Sequence, residues 1–501
     1  MGSPSDGTRW IVDEPVGQEI IKEIVQEWTL YDNPEQERAF TIVAEHMLRR
    51  DEEQMLMFVT GIGGSGKSHV IRAILDAFVR TSRYQEILLS APTGSAACLI
   101  DGYTIHALTL MGVGSRSTVR EAVNDGRDGK VAKQKFSVDE LQQIWCDVKY
   151  LVLDEVSMVS AELLSNIADR LSLAKSGNPS AKDKPFGGIN MIFAGDMAQL
   201  RPVKGSALYA RSVVSNLTSF SFETIRSQER LFGAFLWRSL THVVQLLKNE
   251  RAKTDPDFID LLGRVRIGNA ITSGRLGTTD VDVLNGRLLS KLMINSPEEF
   301  DGFRDAPIVF GERRLRNRWN EEKAKEYAAS SGHEFTYYYA QHFSRGELLI
   351  GEDDNRLAFV APKDSKDYLG RLPLLPGMPV LITENLALAG KVVNGARGTI
   401  KSIAYDVIGT KRVASCVYVE VPASTLHLPG EGDHVVAVLP QNSPITYTSK
   451  DGAKFNISRR QVPIVPGWAF TDYKAQGTSL QKAIVDVASA RNIQHGYVML
   501  S

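Results

Sequence analysis

The run Gly61-Ile62-Gly63-Gly64-Ser65-Gly66-Lys67-Ser68 satisfies the pattern GxxxxGK[ST], and its residue types are those that hold a polyphosphate. Glycines let successive backbone N–H groups turn inward around an anion, and the N-terminus of a following helix adds its dipole. Lys67 would reach the β- and γ-phosphates, and the Ser68 hydroxyl would sit on Mg²⁺. An apolar run from Leu56 to Thr60 feeds the loop, and an amphipathic stretch continues to Leu75. Strand, loop and helix thus fall where the chemistry needs them. The chain is expected to bind a nucleoside triphosphate, with Gly61, Gly63, Gly64, Ser65, Gly66, Lys67 and Ser68 around its phosphates.

Two further strand ends carry polar groups suited to the same reaction. Leu151-Val152-Leu153-Asp154-Glu155 is an apolar strand closed by paired carboxylates. Asp154 would hold Mg²⁺ through water, and Glu155 would orient the attacking water as general base. A buried strand before an acidic turn looks the same in isolation. Its place about 85 residues after the glycine-rich loop favours the functional reading. The third end reads Ile192-Phe193-Ala194-Gly195-Asp196-Met197-Ala198-Gln199-Leu200. An amide both donates and accepts, so Gln199 suits sensing of the γ-phosphate or positioning of the water. Asp196, taken alone, fits a turn cap as well as it fits a functional group.

These groups need a scaffold that brings strand ends together. Short, nearly continuous apolar runs at Met55–Thr60, Ile87–Ala91, Tyr150–Leu153 and Met191–Ala194 alternate with helical patterns, as in a doubly wound parallel sheet. In such a sheet the C-terminal strand ends line the ligand crevice. Helices are expected at Gln18–Trp28, at 35–50, at Phe235–Leu247 and at Asp257–Val265. Leu110–Phe136 and Ser176–Gly188 read as excursions from the α/β pattern. Residues 374–465 differ in texture, with β-rich runs at Pro379–Ile382, Thr399–Ile403, Val413–Val421 and Val435–Leu439. The α/β pattern resumes at Trp468.

At 501 residues the chain is too long for one core. Its 43% apolar and 23% charged content is that of an ordinary globular protein. No apolar window of about twenty residues predicts a membrane span. The N-terminus lacks the apolar core of a signal peptide and the arginine-rich character of a transit peptide. Cys98, Cys146 and Cys416 are scattered, so neither a disulfide nor a zinc site is expected, and a reducing compartment suits them. A net charge of −1 does not announce nucleic acid; any such track must be a local groove.

The three motifs, in this order and spacing, resemble those of superfamily 1 DNA helicases, and more closely the Pif (petite integration frequency) family with its RecD-like relatives. The resemblance runs from about Asn33 to the last residue. It implies an α/β fold of tandem RecA-like P-loop NTPase domains with parallel sheets, plus a small β-rich, SH3-like insert. The domains would be an N-terminal tail at 1–30 and a first RecA-like domain at 31–235, with a small insert at about 108–140. A second RecA-like domain would start at 236–373, break for the insert at 374–466, and end at 467–501. The implied activity is ATP-dependent 5′-to-3′ translocation on single-stranded DNA, with ATP and Mg²⁺ as cofactors and DNA junctions as further partners. Work in DNA repair, recombination or telomere maintenance is implied too, with nuclear or mitochondrial residence in a eukaryote.

The family's residues carry over by motif. Asn33-Pro34-Glu35-Gln36 resembles the adenine-reading Q motif, with Gln36 the reader. Ala91-Pro92-Thr93-Gly94-Ser95 is similar to motif Ia, in which Thr93 and Gly94 grip the DNA backbone. Thr104-Ile105-His106 matches the TIH element and adds His106. Arg251 of Asn249-Glu250-Arg251 sits where the family carries a γ-phosphate arginine. Val393-Asn394-Gly395-Ala396-Arg397-Gly398 resembles the NGxxG turn of the insert. Phe470-Thr471-Asp472-Tyr473-Lys474-Ala475-Gln476-Gly477-Thr478 looks like motif V, in which Lys474, Gln476 and Thr478 contact DNA and Gly477 admits nucleotide or DNA backbone. The commoner form has Ile-His at Asp472-Tyr473, and the wording here is similar to fungal and rolling-circle-transposon members. After His495-Gly496-Tyr497-Val498-Met499-Leu500-Ser501 the family continues with an arginine finger, whose loss costs on the order of 10³–10⁵ in rate in comparable enzymes. The alternatives are thus an active helicase and an ATP- and DNA-binding fragment or transposon relic that hydrolyses slowly. A P-loop kinase or metabolic ATPase would leave Gln199, Thr93 and Lys474 unexplained.

Overall fold

All four expected apolar runs become parallel neighbours in one sheet. The computed structural model describes residues 14–49, 53–111, 137–181, 183–210, 224–268, 279–359, 367–387, 390–448, 454–478 and 480–501. Most of the expected insert at 108–140, and residues 1–13 of the expected tail, lie outside them. The chain divides into two compact units, the first reaching Gly268 and the second running from Asn269 to Leu500.

In the first unit, helices α1 (Glu14–Glu27) and α2 (Pro34–Arg49) precede β1 (Leu56–Gly61) and α3 (Lys67–Arg80). Next come β2 (Ile87–Ala91), α4 (Gly94–Leu99), β3 (Tyr103–Thr104), α5 (Ile105–Leu108) and α6 (Val138–Trp145). Then follow β4 (Tyr150–Leu153), α7 (Ala161–Ala174), β5 (Asn190–Gly195), α8 (Ile225–Arg238), β6 (His242–Leu246) and α9 (Pro256–Ile267). The sheet order is β3-β2-β4-β5-β1-β6, all parallel.

Alternation along each strand explains why the runs are apolar throughout. Met57, Val59, Val152 and Ile192 face one core with Phe40 and Phe78; Leu56, Phe58, Leu151, Leu153 and Phe193 face the other with Trp145. Each such side chain, buried fully, contributes roughly 1.5–3 kcal/mol relative to exposure. Trp145 is wholly buried and still places its indole N–H on the Leu108 carbonyl at 2.9 Å. Ser160 and Thr224 start α7 and α8 by accepting from backbone amides three residues on.

One expectation is corrected here. Phe235–Leu247 is not a single helix: α8 stops at Arg238, and His242–Leu246 pairs in parallel with β1, Met57 opposite His242 and Gly61 opposite Leu246. The run is an edge strand, so only Val244 and Leu246 are buried, and its half-apolar pattern mimics one face of a helix. β6 carries the first unit past residue 235.

The second unit opens with α10 (Asp280–Gly286), α11 (Leu289–Asn295) and α12 (Pro297–Asp301), then β7 (Ile308–Phe310) and the long α13 (Arg313–Ser331). Strands β8 (Tyr337–Tyr339), β9 (Gln341–Ser344) and β10 (Glu347–Leu348), helix α14 (Glu352–Leu357) and β11 (Arg371–Pro373) follow. The β-rich stretch gives β12 (Pro379–Ile382), β13 (Arg397–Ile408), β14 (Lys411–Glu420), β15 (His427–Leu428), β16 (Gly432–Asp433), β17 (Val435–Val438), β18 (Gln441–Thr448), β19 (Lys454–Gln461) and β20 (Ile464–Pro466). The chain ends through β21 (Ala469–Thr471), α15 (Asp472–Ala475), β22 (Ile484–Asp486) and α16 (Ile493–Leu500). β21, β7 and β22 form a parallel sheet, and an antiparallel body is built around β13 and β14. That body begins before residue 374, because β8 and β11 join its main sheet and β9 and β10 pair beside β19.

Candidate functional site

The glycine-rich loop leaves β1 and runs into α3, whose first residue is Lys67. Gly64 and Gly66 have φ of +82° and +88°, the left-handed region that side chains avoid. A Cβ on Gly64 would lie 2.6 Å from Cβ of Arg251, and one on Gly66 would lie 2.3 Å from Nε2 of Gln36. Inside this cradle Ser65 Oγ is buried without a hydrogen-bond partner. An orphaned hydroxyl within a ring of glycines fits a phosphate. Lys67 Nζ donates to the carbonyls of Gly61 and Ile62 at 2.9 and 3.1 Å.

Asp154 and Glu155 follow β4 on the same edge. Asp154 is buried, and its Oδ1 accepts the Glu155 amide at 2.8 Å. Burial pushes its carboxyl above the usual range, against that amide and the nearby Lys67 ammonium. A bound cation would restore the carboxylate. Glu155 adopts φ +52°, ψ +40°, a conformation that costs a non-glycine residue about 1–2 kcal/mol and that clusters at active sites. Ser68 lies in the first turn of α3. Among the described residues no group of three or more His, Cys, Asp or Glu could hold a metal alone. Phosphate oxygens would therefore have to complete any shell made by Ser68 and Asp154.

Gln199 reaches the loop from the turn after β5: its Nε2 lies 3.6 Å from where a Gly63 Cβ would sit. Asp196 is fully buried, caps the Ala198 amide at 3.0 Å and pairs with Arg266 at 2.8 Å, a partner on α9 that the sequence did not reveal. Gln36 is buried and donates to the Ser65 carbonyl at 3.0 Å, so its amide lies against the loop. Arg251 follows β6 and donates its amide to Gly64 O at 3.2 Å. Gln36, Lys67, Ser68, Asp154, Glu155, Gln199 and Arg251 thus gather at one sheet edge.

The expected DNA contacts of the first unit stand at the neighbouring strand ends. Thr93 caps α4, its Oγ1 accepting the Ala96 amide at 3.3 Å and lying 3.3 Å from the Ser95 hydroxyl. Gly94 opens that helix. Burial holds His106 below the ordinary histidine range, so it is neutral at pH 7 and offers phosphate no positive charge.

In the second unit Lys474 Nζ donates to Asn394 Oδ1, tying motif V to the NGxxG turn of the β-rich body. Gln476 is buried, Gly477 has φ +77°, and Thr478 Oγ1 donates to the Ala475 carbonyl at 2.6 Å. Asp472, where the commoner motif has an apolar residue, is buried and paired with His495 of α16. Burial pushes the Lys474 amine down to about 8, with Asp367 opposing. An unfolded lysine titrates near 10.4, so between about pH 8 and 10.4 the unfolded state holds the extra proton. The cost of burying the charge is fully present at pH 7 and disappears as pH rises through that window. The urea midpoint is expected to rise with pH across it, relative to a Lys474→Met variant. A difference that stays flat from pH 7.5 to 10.5 would contradict this environment for Lys474.

A glycine-rich loop between β1 and α3, with carboxylates at the end of β4, defines a P-loop nucleotide-binding protein. The family model described as PIF1-like helicase matches residues 32–275. The ATP-dependent DNA helicase PIF1 of Xenopus laevis is 27% identical over 450 residues, covering 89% of this chain and 57% of the frog protein. The ATP-dependent DNA helicase PIF7 of Trypanosoma brucei is 26% identical over 510 residues, covering 95% of this chain and 45% of its own length. The chain thus spans about half the length of the curated relatives it matches. Among solved structures, Bacteroides Pif1 bound to ssDNA has a TM-score of 0.59 at 22% identity, covering 93% of this chain and 88% of that one. Candida albicans Pif1 helicase has a TM-score of 0.55 at 23% identity, covering 93% and 90%. The likeness to these structures establishes the fold, two RecA-like domains in tandem with an added β-rich body. The chain is thus similar to PIF1-like helicases, in the family model over residues 32–275 and in the curated relatives over most of its length.

Proposed function

We propose that this chain is an ATP-dependent DNA helicase that moves 5′ to 3′ on single-stranded DNA and opens duplexes at junctions. The observation that carries it is the gathering of Lys67, Glu155, Gln199 and Arg251 around one glycine-rich loop in a chain similar to these helicases. The relatives named above are ATP-dependent DNA helicases, and the Bacteroides protein was captured on ssDNA.

On this reading Gln36 reads adenine, the loop amides and Lys67 hold the phosphates, and Glu155 takes the proton of the attacking water that Gln199 orients. Arg251 faces the γ-phosphate. Ser68 and Asp154, with phosphate oxygens, would hold Mg²⁺, which would supply charge neutralisation at the phosphoryl group. Thr93, Gly94 and His106 in the first domain, and Lys474, Gln476 and Thr478 in the second, would grip DNA through backbone contacts that ignore sequence. The neutral His106 would act as a hydrogen-bonding or stacking group. The second RecA-like domain is read as β7, β21 and β22 with their helices, flanking the β-rich body. Repair, recombination or telomere maintenance inside the nucleus or mitochondrion is the setting that suits this activity. Among the described residues no helix is long and apolar enough to cross a membrane.

The deciding measurement is Mg·ATP hydrolysis with and without oligothymidine, followed by unwinding of duplexes carrying a 5′ or a 3′ tail. Strong stimulation by DNA and a requirement for the 5′ tail support the reading. Binding of ATP and DNA without turnover would favour a binding module, and preference for the 3′ tail would refute the polarity.

A further inference from the structure

The loop that would cradle phosphate is held from outside by a closed ring of polar contacts. Asn249 Nδ2 donates to the Gly63 carbonyl at 3.0 Å. The amides of Glu250 and Arg251 donate to the Gly64 carbonyl at 2.9 and 3.2 Å. Gln36 Nε2 donates to the Ser65 carbonyl at 3.0 Å. Three consecutive carbonyls are therefore tethered. The ring closes through Asn33: its Nδ2 donates to the Glu250 carboxylate at 3.0 Å, and its Oδ1 accepts the Gln36 amide at 3.3 Å. Asn33 and Asn249 are 2% and 5% exposed while the Glu250 side chain is 29% exposed, so the costly losses are those that leave the two buried asparagine amides unpaired. Burial alone would raise the Glu250 carboxyl, but the Asn33 amide and Lys248 hold it below the usual range, charged at neutral pH.

In a trans peptide the C=O and the following N–H point in opposite directions. Anchoring the Gly63 and Ser65 carbonyls to Asn249 and Gln36 turns the Gly64 and Gly66 amides away from those anchors. A glycine-rich loop without such anchors would lose conformational entropy each time it closed on an anion. Asn249 is well placed to serve as an anchor because β6 ends at Leu246, opposite Gly61, and delivers residues 248–251 to the loop. Its Oδ1 meanwhile accepts the amides of Arg251 and Ala252, both at 3.0 Å, so the same side chain fixes the turn that presents Arg251.

We propose that Asn249 is a positioning residue for polyphosphate binding, presetting the anion-binding amides, and that the Glu250–Asn33 contact joins this anchor to the adenine side at Gln36. The inference rests on the reading of this site as an ATP site. Asn249→Asp removes the donor to Gly63 and keeps the acceptor for the turn. With a fluorescent ATP analogue and its diphosphate on the full chain, the variant is expected to bind each about tenfold more weakly, or 1.4 kcal/mol. Turnover at saturating ATP should stay within about threefold, with the loss appearing in KM, because Asn249 touches the loop and not the reacting phosphate. Wild-type affinity in a folded Asn249→Asp protein would overturn the proposal while leaving the ATP reading intact. A wild-type chain that binds neither nucleotide would sink the ATP reading itself. If Asn249→Asp fails to unfold cooperatively, Glu250→Gln and Glu250→Ala carry the test. Gln keeps an acceptor for Asn33 and Ala does not, so Ala is expected to bind about threefold more weakly than Gln. Equal affinities would overturn the link to the adenine side.

Discussion

Replacement of Glu155 by glutamine is expected to slow Mg·ATP hydrolysis by on the order of 10²–10⁴ while nucleotide affinity stays within a few-fold of wild type. The amide keeps the size of the carboxyl and most of its hydrogen-bonding capacity, but it cannot accept the proton of an attacking water. The backbone strengthens the expectation. Glu155 is held at φ +52° directly after β4, with its amide fixed by Asp154 Oδ1 at 2.8 Å. A non-glycine residue keeps such a conformation only where its surroundings impose it, so the side chain's direction is fixed by the end of the strand. Because glutamine has the same backbone preferences, the variant should melt within a few degrees of wild type. Single-turnover hydrolysis and binding of a fluorescent ATP analogue separate the two effects. A variant that hydrolyses at the wild-type rate would remove Glu155 from the chemistry. One that loses binding and hydrolysis together would make it a ligand-holding group instead.

The sequence made some of this legible because burial and chemistry there coincide. A strand covered on both faces must be apolar throughout, so Tyr150–Leu153 and Met191–Ala194 announce themselves, and the polar residues immediately after them mark the crevice. β6 was hidden for the converse reason. As an edge strand it buries one face, and two buried residues in five fit a helix as well as a strand. Asn249 and Glu250 were overshadowed by Arg251 beside them. Their partners, Gly63 and Asn33, are about 190 and 220 residues away, a proximity created by β6 lying next to β1. The Asp472–His495 pair was hidden differently. Asp472 read as a departure from a motif, and its partner sits on a helix beyond another strand, where spacing carries no signal. The start of the β-rich body was blurred because β8, β9 and β11 enter it from a stretch whose local pattern does not declare which sheet they join. Pattern reads what a residue buries; it does not read which distant backbone the residue will meet.

Lys67→Ala is expected to reduce ATP hydrolysis by on the order of 10²–10³ or more, with DNA-stimulated turnover lost together with the basal rate. The ammonium donates to Gly61 O and Ile62 O, on the same loop that holds the orphaned Ser65 hydroxyl. Exchanging two carbonyl contacts for phosphate oxygens that carry full charge strengthens each hydrogen bond roughly twofold, most of all where charge accumulates in the transition state. Alanine deletes that gain. It need not collapse the loop, because Gly63, Gly64 and Ser65 remain tethered by Asn249, Glu250 and Gln36. The variant should therefore fold, keep its melting temperature to within a few degrees, and still bind oligothymidine. Lys67→Arg is expected to recover little, since a planar guanidinium does not fit where a compact point charge is required. Measuring hydrolysis, nucleotide affinity and oligothymidine binding on the same preparation distinguishes the cases. Undiminished hydrolysis in Lys67→Ala would mean that the loop is not the phosphate site. Loss of folding would mean that the Lys67 contacts, rather than the ring around Asn249, hold the loop in shape.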